Sequence, residues 1–344
     1  MINDYLKNSR VQLNNTSIRK SMFANYYNNF NIYLKLAQSV HDDLEIPDVK
    51  ITSSLNKLCE IFNFRNKNYI VYDQYLGQFM NKLNRLLLYE TEDEAFFYLC
   101  KLLGEEYFIL NNTKQASIFL LTHQIKSKSL AKNLSKKQIK DKNQMVTSQE
   151  SFVFFHELSH LIVNKKNDYL DYSQNFITNS KGISFILDNV NNLIKEKSLP
   201  KSTLNNFLEE VSCDFLAANL SYTLHTKFHM FDRENYFYAI TSAFLYLRTL
   251  YDIKFYTNKR DNDIFLVFLK LRYIVLRQYI SDHYNATTEE SKIMLDIYDK
   301  WEKKIDMNLY QLFDINKSDD FINKYEILEK LNNTNIAKEI IKKL

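Results

Sequence analysis

The chain has 344 residues, 45% of them apolar and 25% charged, with a formal net charge of +4 at pH 7, values ordinary for a soluble globular protein. Its only glycines are Gly77, Gly104 and Gly182, which excludes a phosphate-cradling P-loop, a GxGxxG dinucleotide turn and a GxSxG nucleophile elbow. Cys59, Cys100 and Cys213 are odd in number and widely spaced, so neither a disulfide framework nor a CxxC zinc site is indicated, and the mildly basic balance marks no nucleic-acid partner.

Only two prolines accompany the three glycines. Strand-rich folds need many tight turns with glycine at positive φ, so the expected class is mainly α (α+β). In chain order, residues 1–65 read as an N-terminal helical region, with apolar spacing for an amphipathic helix over Met22 to Val40. Asn68 to Asp73 and Ala116 to Thr122 are rich in β-branched and aromatic residues and are the strand candidates for a small sheet. Between them, Thr91 with Glu94 three residues on forms a capping box, and Gly104 ends the helix that it starts. The lysine-rich stretch Lys126 to Lys142 reads as a solvated loop, with a basic docking patch as the other reading.

Thr147-Ser148-Gln149-Glu150 is a second capping box, which predicts a helix from about Ser148 to Val163. A further helix follows Ser202 and contains Leu208 to Ala218. From Asn235 onward helical patterns alternate with polar breaks, and Trp301 reads as core. No apolar run reaches the eighteen residues of a membrane span, and Asn3, Asp4 and Lys7 interrupt any signal-peptide core. A cytoplasmic protein is expected.

The chemistry concentrates in His156-Glu157-Leu158-Ser159-His160. Two histidines four apart share a helix face one turn apart, a spacing suited to one tetrahedral Zn²⁺. Glu157 points around the helix from them, where it can take a proton from a water activated by the metal without ligating it. Two histidines need a third ligand. The metzincin extension is excluded, because Val163 and Lys166 stand where Gly and His would be required. On the later helix Glu210 and Asp214 are also four apart, so Glu210 can ligate while Asp214 accepts the outer N–H of a ligating histidine. Glu209 is the competing ligand. Arg272 is the candidate for stabilising the developing oxyanion, followed by Arg248 and Tyr251, with a structural ion pair as the plainer reading of Arg272. His225 and His229 form another i,i+4 pair, without an accompanying carboxylate.

HELSH followed on a later helix by EEVSCD resembles the gluzincin metallopeptidases, which pair HExxH with a downstream ExxxD. Over residues 145–220 the Phe-rich approach to HELSH and the EE-x-x-CD-x-x-A pattern are more distantly similar to the Lit-type phage-exclusion peptidases of bacteria. Those are cytoplasmic proteases associated with cleavage of the host translation factor Tu. The resemblance implies a zincin-like metallopeptidase domain over 66–285, followed by a helical C-terminal region over 286–344. It implies one Zn²⁺ per chain on His156, His160 and Glu210, with Glu157 as catalytic base and a protein as substrate. Two alternatives use the same residues: a regulatory metallopeptidase of a mobile element that cleaves a repressor or partner, and a non-catalytic helical binding protein stapled by zinc. A helical interaction module without metal is the third. Substrate is expected to add as a strand along Ala116 to Thr122.

Overall fold

Helices dominate because little in the chain stops them. The computed structural model describes residues 20–127, 133–166, 168–228, 233–258 and 263–316. Its elements are α1 (Lys20–Val40), β1 (Asp48–Thr52), β2 (Cys59–Phe64), β3 (Lys67–Asp73), α2 (Gln74–Tyr89), α3 (Glu92–Ile109), α4 (Thr113–Ser127) and α5 (Lys136–Val163). They continue with α6 (Asp168–Asn179), α7 (Phe185–Glu196), α8 (Ser202–Phe228), α9 (Arg233–Thr257), α10 (Asp263–His283) and α11 (Thr288–Trp301). A π-helical turn over Glu302–Asp306 then leads into α12 (Met307–Asn316). The expected class, mainly helical with a small sheet, is the observed one.

The sheet has the order β1-β3-β2, with β1 parallel and β2 antiparallel to β3. Arg65 and Asn66, both at positive φ, make the two-residue hairpin turn between β2 and β3 without a glycine. β2 is an edge strand, and its unpaired side faces α5. The sheet takes residues 48–64 out of the region expected to be helical, so the boundary at 65/66 falls inside one hairpin.

Other expectations met a different outcome. Ala116 to Thr122 lies within helix α4, not a strand, and no substrate strand can add there. Gly104 does not end α3. A Cβ on it would stand 2.7 Å from Leu120 Cγ and 3.0 Å from the Leu120 backbone nitrogen, so its missing side chain lets α4 press against α3. Thr91 and Glu94 do form the capping box at the start of α3. The box expected at Thr147 is not used: α5 begins twelve residues before Ser148, at Lys136, capped by Ser135 and Gln138. Thr147 instead bonds back to the Asn143 carbonyl at 3.1 Å. Of the lysine-rich stretch, residues 136–142 are therefore helix and 128–132 lie outside the described residues.

α5 is the axis of the molecule. Phe152, Val153, Phe154 and Phe155 on it are buried. Phe154 stacks on Phe30 of α1 with ring centroids 4.6 Å apart, and Phe155 meets Tyr33 at 5.3 Å. A buried amide network sets its register. Asn84 of α2 and Gln149 of α5 exchange two hydrogen bonds of 2.8 and 3.0 Å, while Gln149 also donates to Ser242 Oγ and Tyr246 to Asn84. The core runs without a break from Phe30 to Phe313. The end of the described chain belongs to it: Trp301 is fully buried and donates to Thr249 Oγ1, and Lys304 closes the C-terminal carbonyls of α2 at Leu86, Leu87 and Glu90. No helix among the described residues is long and apolar enough to cross a membrane.

Candidate metal centre

α5 and α8 pack side by side. The small side chains of Ala217 and Ala218, both fully buried, sit on α8 just beyond the acidic cluster. His156 Nε2 lies 3.4 Å from Glu210 Oε2, and His160 Nε2 lies 3.8 Å from Glu210 Oε1. One donor atom from each of the three residues falls within 4.8 Å of the others. Donors bound at about 2.1 Å in a tetrahedral arrangement are separated by about 3.4 Å, so His156, His160 and Glu210 can hold a metal ion as they stand.

The outer side of each imidazole carries a carboxylate. His156 Nδ1 stands 2.8 Å from Asp214 Oδ1, and His160 Nδ1 stands 2.9 Å from Glu209 Oε1. With its N–H turned to the carboxylate, each ring presents the Nε2 lone pair to the metal position. Asp214 therefore faces the outer nitrogen of His156, and Glu210 faces the inner nitrogens of both rings. Glu209 does not compete with Glu210; it is the partner of the second histidine. A sequence signal for this existed in the doublet itself, because consecutive helical residues diverge by about 100° and two histidines each need an outer partner.

Arg272 of α10 reaches the centre, but its guanidinium is committed to these carboxylates. Nε and Nη2 bond the two oxygens of Asp214 at 2.9 Å each, and Nη1 is 2.6 Å from Glu210 Oε2. Its plane lies over Phe244, 5.5 Å from the ring centroid. The ion-pair reading therefore describes Arg272, which orients the two acids. Arg248 is elsewhere, between Asp252 and Asp306 and over Trp301. His229 lies outside the described residues, and His225 packs its ring against Tyr236.

Burial and charge act against each other at every group. Burial pushes the Glu210 carboxyl up, but the Arg272 charge and the two imidazoles hold it below the usual carboxylate range. Burial also disfavours charge on His156, yet the neighbouring Asp214 and Glu210 carboxylates push its pKa up to about 10. Glu157 is raised by burial, moderated by the two histidines and by the Ile61 N–H, which donates to its Oε2 at 3.0 Å. That N–H comes from the free edge of β2, a strand that periodicity did not reveal. The centre opens into a cavity of about 200 Å³ whose walls include Leu58, Phe152, Phe244, Leu250, Tyr251 and Phe265. The Tyr251 hydroxyl makes no hydrogen bond to a described residue, its ring is held against Phe265 with centroids 4.6 Å apart, and burial pushes its pKa up to about 12, so it stays a proton donor.

No family model, curated protein or solved structure matches this chain.

Proposed function

We propose that the protein is a zinc-dependent peptidase of gluzincin type, cutting a peptide bond in a protein substrate. The observation that carries this reading is Glu157. A zinc that only staples α5 to α8 is served by four closed ligands. Here three donors converge, and beside them a fourth acidic group is held off the ligand cluster by a backbone N–H. Zinc bound at His156, His160 and Glu210 would acidify a water and polarise a carbonyl.

The chain's own residues supply the rest. Glu157, with its raised pKa, accepts the proton of the attacking water and returns it to the leaving amine. Asp214 and Glu209 keep both imidazoles turned to the ion, and Arg272 keeps Glu210 ionised and holds Asp214 in place. Tyr251 replaces Arg272 as the donor to the substrate carbonyl oxygen as charge builds there. The apolar walls around Tyr251 exclude water and favour a bulky apolar side chain next to the cut bond. Cleavage of a translation factor in phage exclusion, within the cytoplasm, is the narrower form of this reading and rests on the motif likeness over residues 145–220.

Glu157→Gln tests the reading directly. The variant keeps about one zinc per chain and loses proteolysis, read as new N-termini in a host proteome expressing the wild type beside it. Cleavage that persists in the variant removes Glu157 from its role.

A further inference from the structure

A second recess lies about two helical turns before the metal centre, toward the N-terminal half of α5. It measures about 280 Å³ and is lined by Asn25 and Asn29 of α1, Gln78 and Asn81 of α2, and Asn143 and Glu150 of α5. Glu150 is only 7% exposed. Its hydrogen-bonding neighbours are two phenols, Tyr72 at 2.6 Å and Tyr26 at 3.2 Å, and both donate to Oε1. Oε2 takes no hydrogen bond from a described residue, and no described cation pairs with the carboxylate. A buried carboxylate without a counter-charge is costly, and burial accordingly pushes Glu150 up to about 7 even with two hydroxyls bonded to it.

Two further features point the same way. Asn81 Oδ1, closed off from solvent at the wall of the recess, has no hydrogen-bond partner among the described residues, so a turn of its side chain would give the recess a second acceptor. Gly77 lies in the middle of α2, where it costs roughly 1 kcal/mol relative to alanine, and a Cβ there would come within 2.0 Å of Glu150 Oε1. The helix gives up stability at the one place where a side chain would displace the carboxylate.

We propose that this recess binds a small aliphatic amine, its ammonium on Glu150 and Asn81 and its chain among the asparagine side chains of the rim. The set of acceptors calls for a donor of positive charge, and no described lysine or arginine lines the recess. A bare divalent ion would ask for six to eight oxygen ligands or near-ideal octahedral geometry, whereas a single carboxylate beside a space of this size suits an ammonium on a short carbon chain. The proposal does not depend on the metal centre or on peptidase activity.

Titration calorimetry of the full chain with 1,4-diaminobutane tests it, with 1,4-butanediol as the neutral isostere. The expected result is saturable binding of one amine per chain with Kd at or below about 1 mM and none of the diol. Asn81→Leu and Gly77→Ala each weaken it roughly tenfold, the scale of one lost hydrogen bond to a charged group, and Glu150→Gln abolishes it. If Glu150→Gln does not fold, Asn81→Leu, at a half-buried position, carries the test. Absence of saturation by about 10 mM amine, equal binding of the diol, or wild-type affinity in Asn81→Leu overturns the assignment.

Discussion

Glu209 and Glu210 stand next to each other in sequence and act on opposite sides of the same histidine pair. Glu210 meets the inner nitrogens, and Glu209 meets the outer nitrogen of His160. The outer carboxylates act through the imidazoles, by fixing tautomer and ring orientation, so their loss weakens a metal site without dismantling it. Glu209→Ala and Asp214→Ala should each reduce zinc affinity by roughly 10–100-fold, measured by competition with a chromophoric chelator, while Glu210→Ala loses a ligand and should lose more. An unchanged affinity in Glu209→Ala would make its contact with His160 incidental. Arg272 shows how burial decides a role: on an apolar helix it has to be paired, and the partners it found are the acids of the centre, not a substrate oxygen.

At the level of elements, the errors in reading the sequence share one cause. Ala116 to Thr122 has the composition of a buried strand, and a short apolar run cannot be told from a buried helix by periodicity alone. What settled it is Gly104, whose lack of a side chain lets α4 lie against α3 at close range. Gly104→Ala should therefore destabilise the protein by roughly 1–3 kcal/mol through overpacking, although alanine is the better helix former by about 1 kcal/mol. Chemical denaturation reads the difference, and a stabilised variant would show that the two helices can part without cost. The same limit explains the start of α5. Its lysine and glutamine residues before Ser148 look like a solvated loop but are good helix formers, and with no glycine or proline between Ser135 and Val163 nothing ends the helix early.

Across the whole molecule the residues that could hold a metal ion join α5 to α8, two elements that carry much of the core between them. Zinc that binds only the folded state adds RT ln(1 + [L]/Kd), about 4 kcal/mol at a free concentration near a thousand times Kd. Chelation should lower the thermal midpoint by several degrees, and zinc should restore it; a midpoint indifferent to chelation would remove the ion from this position. A second global dependence comes from Glu150. Its pKa in the fold is about 7 against an ordinary 4.5, so the stability it contributes is fully present below about 4.5 and is lost as pH rises through about 7. The difference amounts to about 3 kcal/mol. Denaturation of Glu150→Gln at pH 5 and pH 8, in excess chelator, should show a smaller loss at the higher pH than the wild type does. Asp252, also pushed up to about 7 by burial, keeps part of the slope. Equal slopes in the two proteins would place the Glu150 pKa near its ordinary value.

The helical class, the pairing of His156 with His160 on one face, the nearby Glu157 and the Glu210–Asp214 spacing were all legible in the sequence by itself, because each depends on a helical period of a few residues. Glycine and proline counts carry the same kind of local information. Which carboxylate faces which nitrogen, the diversion of Arg272 to Asp214 and Glu210, the Ile61 N–H beside Glu157 and the recess at Glu150 were decided only by tertiary structure. Each joins residues about 50 to 120 positions apart, and helix packing and the free edge of β2 bring them together where no local pattern records the meeting.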